Sequence, residues 1–248
     1  MSARADIRAL LAAAALAALP AAARGSEADA FENKIEPISG QLYQKSGRLE
    51  LEPLFALSLN DPFYVKYFGG LRLAYHLSEF WSLALTGQAG ATQATSSTTL
   101  CTPSQGCTNA SAQQLWQVPG DLKWIAGAEV LFSPVYGKVN ILGSAVIHLD
   151  FSLLGGLDWI ESQTVLTPDQ AQAATAAGTG PGNSGAPGVH LGLGTHVFFA
   201  SFAAAALELK DYVYFADVNT GSSTQSRKAQ NQIFLELGVS FFLGGPGR

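Results

Sequence analysis

Between Tyr64 and Gly90 the chain reads YVKYFGGLRLAYHLSEFWSLALTGQAG, and its apolar residues recur at every second position. Val65, Tyr67, Gly69, Leu71, Leu73, Tyr75 and Leu77 share one face, and Lys66, Phe68, Gly70, Arg72, Ala74 and His76 share the other. After Ser78-Glu79 the apolar face resumes with Trp81, Leu83, Leu85, Gly87 and Ala89, opposite Ser82, Ala84, Thr86 and Gln88. Alternation at period two marks strands, because successive side chains point to opposite sides of a sheet. Each run exceeds the roughly five or six residues of a strand in a soluble protein. Long alternating strands with aromatic residues near their ends and a tight turn between them are what a membrane-crossing β-hairpin requires. The stretch predicts a transmembrane hairpin.

The same alternation recurs along the chain. A first strand sets Leu49, Leu51, Phe55, Leu57 and Leu59 against Arg48, Glu50 and Glu52, and Asn60-Asp61-Pro62-Phe63 supplies turn chemistry. The third strand is expected to end near Thr92, before a polar loop of nearly thirty residues. A fourth places Leu122, Trp124, Ala126, Ala128, Val130 and Phe132 on the apolar side, and Ser133-Pro134-Val135-Tyr136-Gly137-Lys138 is read as its break. Residues 139–145 fit either an extended turn or the start of a fifth strand, whose clear part is Ile147 to Trp159. A second long loop, 162–188, contains Thr167-Pro168-Asp169 and is expected to form one helical turn. The sixth strand runs from Val189 to Phe199, the seventh from Ala203 to Phe215, and the last from Gln232 to Leu243, with a polar loop over 216–230. In the seventh, Asp211 interrupts the apolar row and is expected near the interface.

Eight strands with alternately short and long connections predict an all-β fold: a closed antiparallel up-and-down transmembrane β-barrel. Short turns lie on the periplasmic side and long loops outside. Closure removes unpaired edges that hydrocarbon would not tolerate.

Targeting and composition agree with an exported barrel. Arg4 and Arg8 precede an apolar run from Ala9 to Leu19 and a small-residue junction at Pro20-Ala21-Ala22-Ala23, the pattern of a signal peptide. That run is too short to span a bilayer as a helix. The expected layout is a signal peptide over 1–23, a periplasmic lead-in over 24–46, the barrel over 47–243 and a tail over 244–248. The lead-in is read as a leader without a core of its own, with docking at the barrel mouth as the alternative. The chain is 48% hydrophobic and 13% charged, yet contains no stretch fit for a spanning helix. A net charge of −5 argues against a nucleic-acid partner. Cys101 and Cys107, in the first long loop, are expected to form a disulfide, given their spacing and an oxidising route of export.

Several short blocks carry a resemblance. They are Leu42-Tyr43-Gln44-Lys45-Ser46-Gly47-Arg48-Leu49-Glu50, Leu59-Asn60-Asp61-Pro62-Phe63, Tyr75-His76-Leu77-Ser78-Glu79, the Ser133–Lys138 block, His148-Leu149-Asp150 and Glu208-Leu209-Lys210-Asp211-Tyr212. In order and spacing they resemble the outer-membrane β-barrel domain family of myxobacteria and related delta-group bacteria, over residues 42–243. The resemblance implies a barrel in the cell outer membrane, has no established catalytic residues to carry over, and includes candidates for envelope and gliding machinery. The end of the chain, with Phe241 and Leu243 two apart, also resembles the assembly signal of such barrels, although Gly244-Gly245-Pro246-Gly247-Arg248 follows it.

Candidate functional residues lie on the inward face. With a turn at Asp61 to Phe63, Glu52 falls opposite Arg72. Pairing Phe215 with Asn231 brings Lys210 opposite Glu236. Two cross-strand ion pairs are therefore expected in the lumen, with Phe68, Phe234 and Phe242 also pointing inward. His76, His148 and His196 point toward the periplasmic mouth near Asp150, either as a hydrogen-bonded plug or as a metal site of two His and an Asp. His190 lies nearer the outer rim, and the sequence fixes no serine beside it. The expected function is a non-enzymatic structural or docking component of the envelope, without cofactor. A membrane-embedded lipid hydrolase and a small-solute pore are the alternatives. Expected partners are outer-membrane lipids and lipopolysaccharide, the barrel-assembly machinery, and envelope or gliding-machinery proteins.

Overall fold

A computed structural model describes residues 43–102, 106–109, 121–141, 145–163, 166–178, 182–219 and 225–244. The expected signal peptide, nearly all of the lead-in and the end of the tail lie outside the described residues. Eight strands form the barrel: β1 (Leu49–Ser58), β2 (Tyr64–His76), β3 (Trp81–Ala94), β6 (Leu122–Ile141), β7 (Ala145–Gln163), β8 (Asn183–Ala200), β9 (Ala203–Asn219) and β10 (Gln225–Leu243). The small strands β4 (Thr99–Thr102) and β5 (Gly106–Asn109) form a separate hairpin in the loop after β3.

Each barrel strand pairs antiparallel with its neighbours along the chain, and β1 pairs with both β2 and β10, so the sheet closes. An eight-stranded barrel has an interior that side chains alone can fill. Alternation then sorts the sequence into two surfaces. Outward, Leu157 and Leu191 expose 70% and 73% of their surface, while Arg72 and Lys210, on the inward face, expose none. Charge inside and leucine outside is the reverse of a water-soluble protein, and it requires hydrocarbon around the wall. Trp81 stacks on Phe132 across β3 and β6, with ring centres 4.5 Å apart, at the end of the tight turns. Trp124, Trp159 and Phe215 face outward toward the other end. Aromatic residues therefore flank the leucine belt on both sides, as at membrane interfaces.

Several sequence expectations are corrected. Ser133-Pro134-Val135-Tyr136-Gly137-Lys138 does not break the fourth strand: β6 continues to Ile141, with a register shift between Phe132 and Val135. A bulge absorbs one extra residue, and it accommodates Pro134, which has no N–H to give the ladder. The fifth strand starts at Ala145, so its turn falls outside the described residues. Leu122, placed in the outward row, is fully buried, because a second register shift between Leu122 and Trp124 turns it inward. The 216–230 loop is largely strand, since β9 runs to Asn219 and β10 begins at Gln225. Residues 183–188, read as loop, likewise belong to β8. Beyond the membrane both faces of a hairpin meet water, so the ladder continues while the apolar alternation disappears.

The expected helical turn is a ten-residue helix, α1 (Pro168–Ala177). Thr167 and Gln170 form a reciprocal capping box, Pro168 occupies the first turn, and Gly178 ends the helix at φ 67°. Asp211 faces outward, where the Asn231 side-chain amide donates to it at 3.4 Å.

Candidate functional site

The inward residues form three layers. Nearest the long loops, Phe68, Phe234, Tyr212, Tyr214, Ile125 and Ile160 pack into an apolar cap with Leu122, Ala56 and Ala216. Nearest the tight turns, Phe198, Phe242 and Ala204 form a second cap, against which Tyr43 and Tyr136 pack. Charged groups occupy the space between.

The first hairpin has the expected register, with Glu52 directly across from Arg72. Arg72 Nη2 binds Glu52, Nη1 binds Glu208, and Nη1 lies 3.4 Å from Glu129. The guanidinium thereby ties β1, β6 and β9 to β2. Its planar fork presents donors in several directions, which suits three carboxylates better than an ammonium would.

The last hairpin differs from expectation. Lys210 lies across from Phe234, and Glu236 across from Glu208. Pairing Phe215 with Asn231 misplaces the register by two residues, because Phe215 in fact pairs with Ala229. The Lys210–Glu236 ion pair forms nonetheless, at 3.1 Å along the diagonal, and Lys210 also reaches Glu129 at 3.0 Å and Glu208 at 3.1 Å. A two-residue shift leaves both side chains facing inward, which is why the pair survives.

Within this layer Glu50, Glu52, Glu129, Asp150, Asp158, Glu208 and Glu236 outnumber the fixed cations Lys45, Arg72 and Lys210. Buried charge without a counter-charge is costly, so the imidazoles matter. His190 bridges Asp158 at 2.7 Å and Glu129 at 3.0 Å, one nitrogen to each. Two carboxylate acceptors require both nitrogens to donate, which adds this ring as a fourth cation to Lys45, Arg72 and Lys210. His196 Nδ1 donates to Asp150 at 3.0 Å. His76 Nε2 meets Glu50 at 2.8 Å, and its Nδ1 meets the Ser82 hydroxyl at 2.6 Å. His148 stands apart from these rings, hydrogen-bonded to Tyr136 at 2.7 Å in the cap near the tight turns.

Glycines make room for the charged side chains. A Cβ at Gly238 would collide with the Glu52 carboxylate, one at Gly127 with Asp158, and one at Gly156 with His190. Each charged group fills a hole left where the neighbouring strand has no side chain.

The sequence reasoning missed Lys45. It precedes β1, yet its side chain is buried and binds Asp150 and, at 3.3 Å, Ser133. Glu79, in the β2–β3 turn, accepts the backbone N–H of Lys45 and of Ser46, both at 3.0 Å. Tyr43 stacks on Phe198 with centres 5.2 Å apart. Arg48 donates to the carbonyls of Ser201 and Phe242, both at 2.8 Å. Residues 43–48 thus occupy the barrel mouth beside the tight turns. The only signal for this was a lysine at the end of a polar leader, which alternation cannot orient.

Cys101 and Cys107 face each other across the β4–β5 hairpin and are joined by a disulfide.

No family model and no curated relative matches the chain. Among solved structures it is similar to the N-terminal β-barrel domain of OprF from Pseudomonas aeruginosa, at 13% identity and a TM-score of 0.46, covering 81% of this chain and 100% of that one. OprG from the same organism gives 13% identity, a TM-score of 0.45 and coverage of 82% and 98%. Ail of Yersinia pestis gives 10% identity, a TM-score of 0.37 and coverage of 80% and 99%.

Proposed function

We propose that the chain is an integral outer-membrane barrel that neither conducts solutes nor catalyses a reaction, and that it serves as a structural or docking component of the cell envelope. The observation that carries this reading is the filled lumen: a charged layer joined across the barrel by Arg72 and Lys210, enclosed between two apolar caps. Moving ions through it would mean breaking buried ion pairs, at about 3–5 kcal/mol for each partner left alone. The leucine belt supports contact with membrane lipid, lipopolysaccharide included, and the barrel would be delivered by the assembly machinery. Membership of the myxobacterial barrel-domain family, and contact with envelope or gliding-machinery proteins, belong to the same proposal and rest on the sequence blocks. In planar bilayers the purified protein should give at most small, sporadic conductance. A steady, large conductance would move it to the pore class.

One observation favours a lipid hydrolase as second reading. Ser82, His76 and Glu50 form a hydrogen-bonded line of 2.6 and 2.8 Å, the connectivity of a nucleophile, base and acid. Against it, all three are buried on the lumen side, whereas lipid lies outside the wall. Ser82 is paired with His76 and Leu131 on its two sides, so the local backbone is engaged in ladders rather than in an oxyanion hole. Lipid A and phospholipid from cells with and without the protein should be indistinguishable. Hydrolysis products that disappear with Ser82→Ala would establish the enzyme.

A further inference from the structure

Inside the lumen, on the side of the tight turns, Glu50, Glu52 and His196 each turn one ligand atom toward a common point, all within 4.8 Å of one another. His196 Nε2 lies 3.3 Å from Glu50 Oε1 and 3.8 Å from Glu52 Oε2. Neither His196 Nε2 nor Glu50 Oε1 makes a hydrogen bond of acceptable geometry, and both residues are at least 99% buried. Buried polar atoms in such a position call for a partner.

We propose that Glu50, Glu52 and His196 form a binding site for one divalent transition-metal cation of the zinc class. Metal bonds of about 2.0–2.2 Å to nitrogen and oxygen set ligand atoms roughly 3 to 3.5 Å apart. The two separations from His196 reach that range with shifts of a few tenths of an ångström, and the two glutamate oxygens lie within 4.8 Å of each other. One imidazole and two carboxylates suit zinc, whereas calcium takes more oxygen ligands and magnesium keeps much of its water.

The surroundings support each ligand. His196 Nδ1 donates to Asp150, whose same oxygen accepts the His196 backbone N–H at 3.0 Å, and Lys45 holds the other oxygen. That bond fixes the ring orientation and aims Nε2 at the two glutamates, where it donates when protonated and serves as a ligand once a metal displaces its proton, the arrangement that orients metal-binding histidines. His76 holds the second oxygen of Glu50, whereas on Glu52 it is Oε2, the atom nearest His196, that accepts from Ser240 at 2.7 Å.

Arg72 is the obvious competitor, with Nη2 bound to Glu52 and 3.8 Å from Glu50. Its Nη1 is anchored on Glu208 and near Glu129. The excess of carboxylates over fixed cations leaves the layer negative enough to hold a dication as well. The ion would tie β1 to β8, which lie apart in the barrel with β10 and β9 between them. The proposal rests on the barrel interior alone and stands whether or not the protein conducts.

The test uses the full chain, stripped with chelator while unfolded, refolded into detergent, equilibrated with zinc chloride and freed of excess ion. About one zinc per chain should be retained by elemental analysis, and cobalt in its place should give visible ligand-field absorption. Zinc should shift the imidazole resonances of His196 in wild-type protein and leave those of His190 in place. Asp150→Asn should weaken retention about 10- to 100-fold. Glu52→Gln and His196→Gln should abolish it. Fully folded wild type that retains no zinc, cobalt or manganese would overturn the proposal. So would zinc retained without the His196 shift, or held equally by folded Glu52→Gln and His196→Gln. The wild-type readouts decide the matter even if a variant fails to fold.

Discussion

Lys210 stands across the β9–β10 ladder from Phe234, yet its ammonium closes a 3.1 Å ion pair with Glu236, two residues further along β10. It also touches Glu129 and Glu208, so one cation serves three carboxylates. Lys210→Met should therefore cost about 3–5 kcal/mol, because it strands charge rather than merely removing a contact. Denaturant unfolding in detergent measures this. Adding Glu236→Gln should recover part of the loss; additive losses would mean that the pair does not interact.

Gly238 leaves the space that the Glu52 carboxylate fills. Gly238→Val should push Glu52 away from Arg72 and destabilise the barrel by about 1–3 kcal/mol. Gly69 has open space where its Cβ would be, so Gly69→Ala is the control and should leave the unfolding midpoint nearly unchanged. Equal effects at the two positions would contradict the packing.

Leu153 faces outward and is half exposed on the bare protein. Leu153→Arg should cost about 2–4 kcal/mol if it lies near mid-bilayer, since the charge must leave water for hydrocarbon. A variant that assembles and resists heat like wild type would show that the outward face has been misassigned.

The Cys101–Cys107 bridge closes a hairpin that is separate from the barrel sheet. Reduction should leave barrel unfolding unchanged while speeding proteolysis around residues 99–109. Intact mass without reductant should be lighter by two hydrogens than after reduction. Two alkylatable thiols in the folded protein would refute the bridge.

The barrel was legible because membrane strands must alternate and because closure demands an even count of antiparallel neighbours. The Glu52–Arg72 contact could be counted from a turn, since Asn60-Asp61-Pro62-Phe63 pins the β1–β2 register. Between β9 and β10 the stretch 216–230 reads as a polar loop with no turn to count from, and the count slips by two. Alternation was blind to Leu122 and to the Ser133–Lys138 stretch, because a bulge shifts the phase of the side chains beyond it. Lys45 was hidden for another reason: its partner Asp150 is 105 residues away, and no local pattern links them. The convergence of Glu50 and Glu52 with His196 depends on the curvature of the closed sheet, which no pairwise register reveals.

Every wall strand contributes a polar group to the middle layer: Glu52 from β1, Arg72 from β2, Gln88 from β3, Glu129 from β6, Asp158 from β7, His190 from β8, Lys210 from β9 and Glu236 from β10. An open ribbon of fewer strands would carry part of this set into the bilayer without its counter-charges. Half-finished intermediates are thereby penalised, and the seam between β1 and β10 becomes the committing step. Insertion and closure should proceed as one cooperative event, with a single steep transition and no populated partly zipped form.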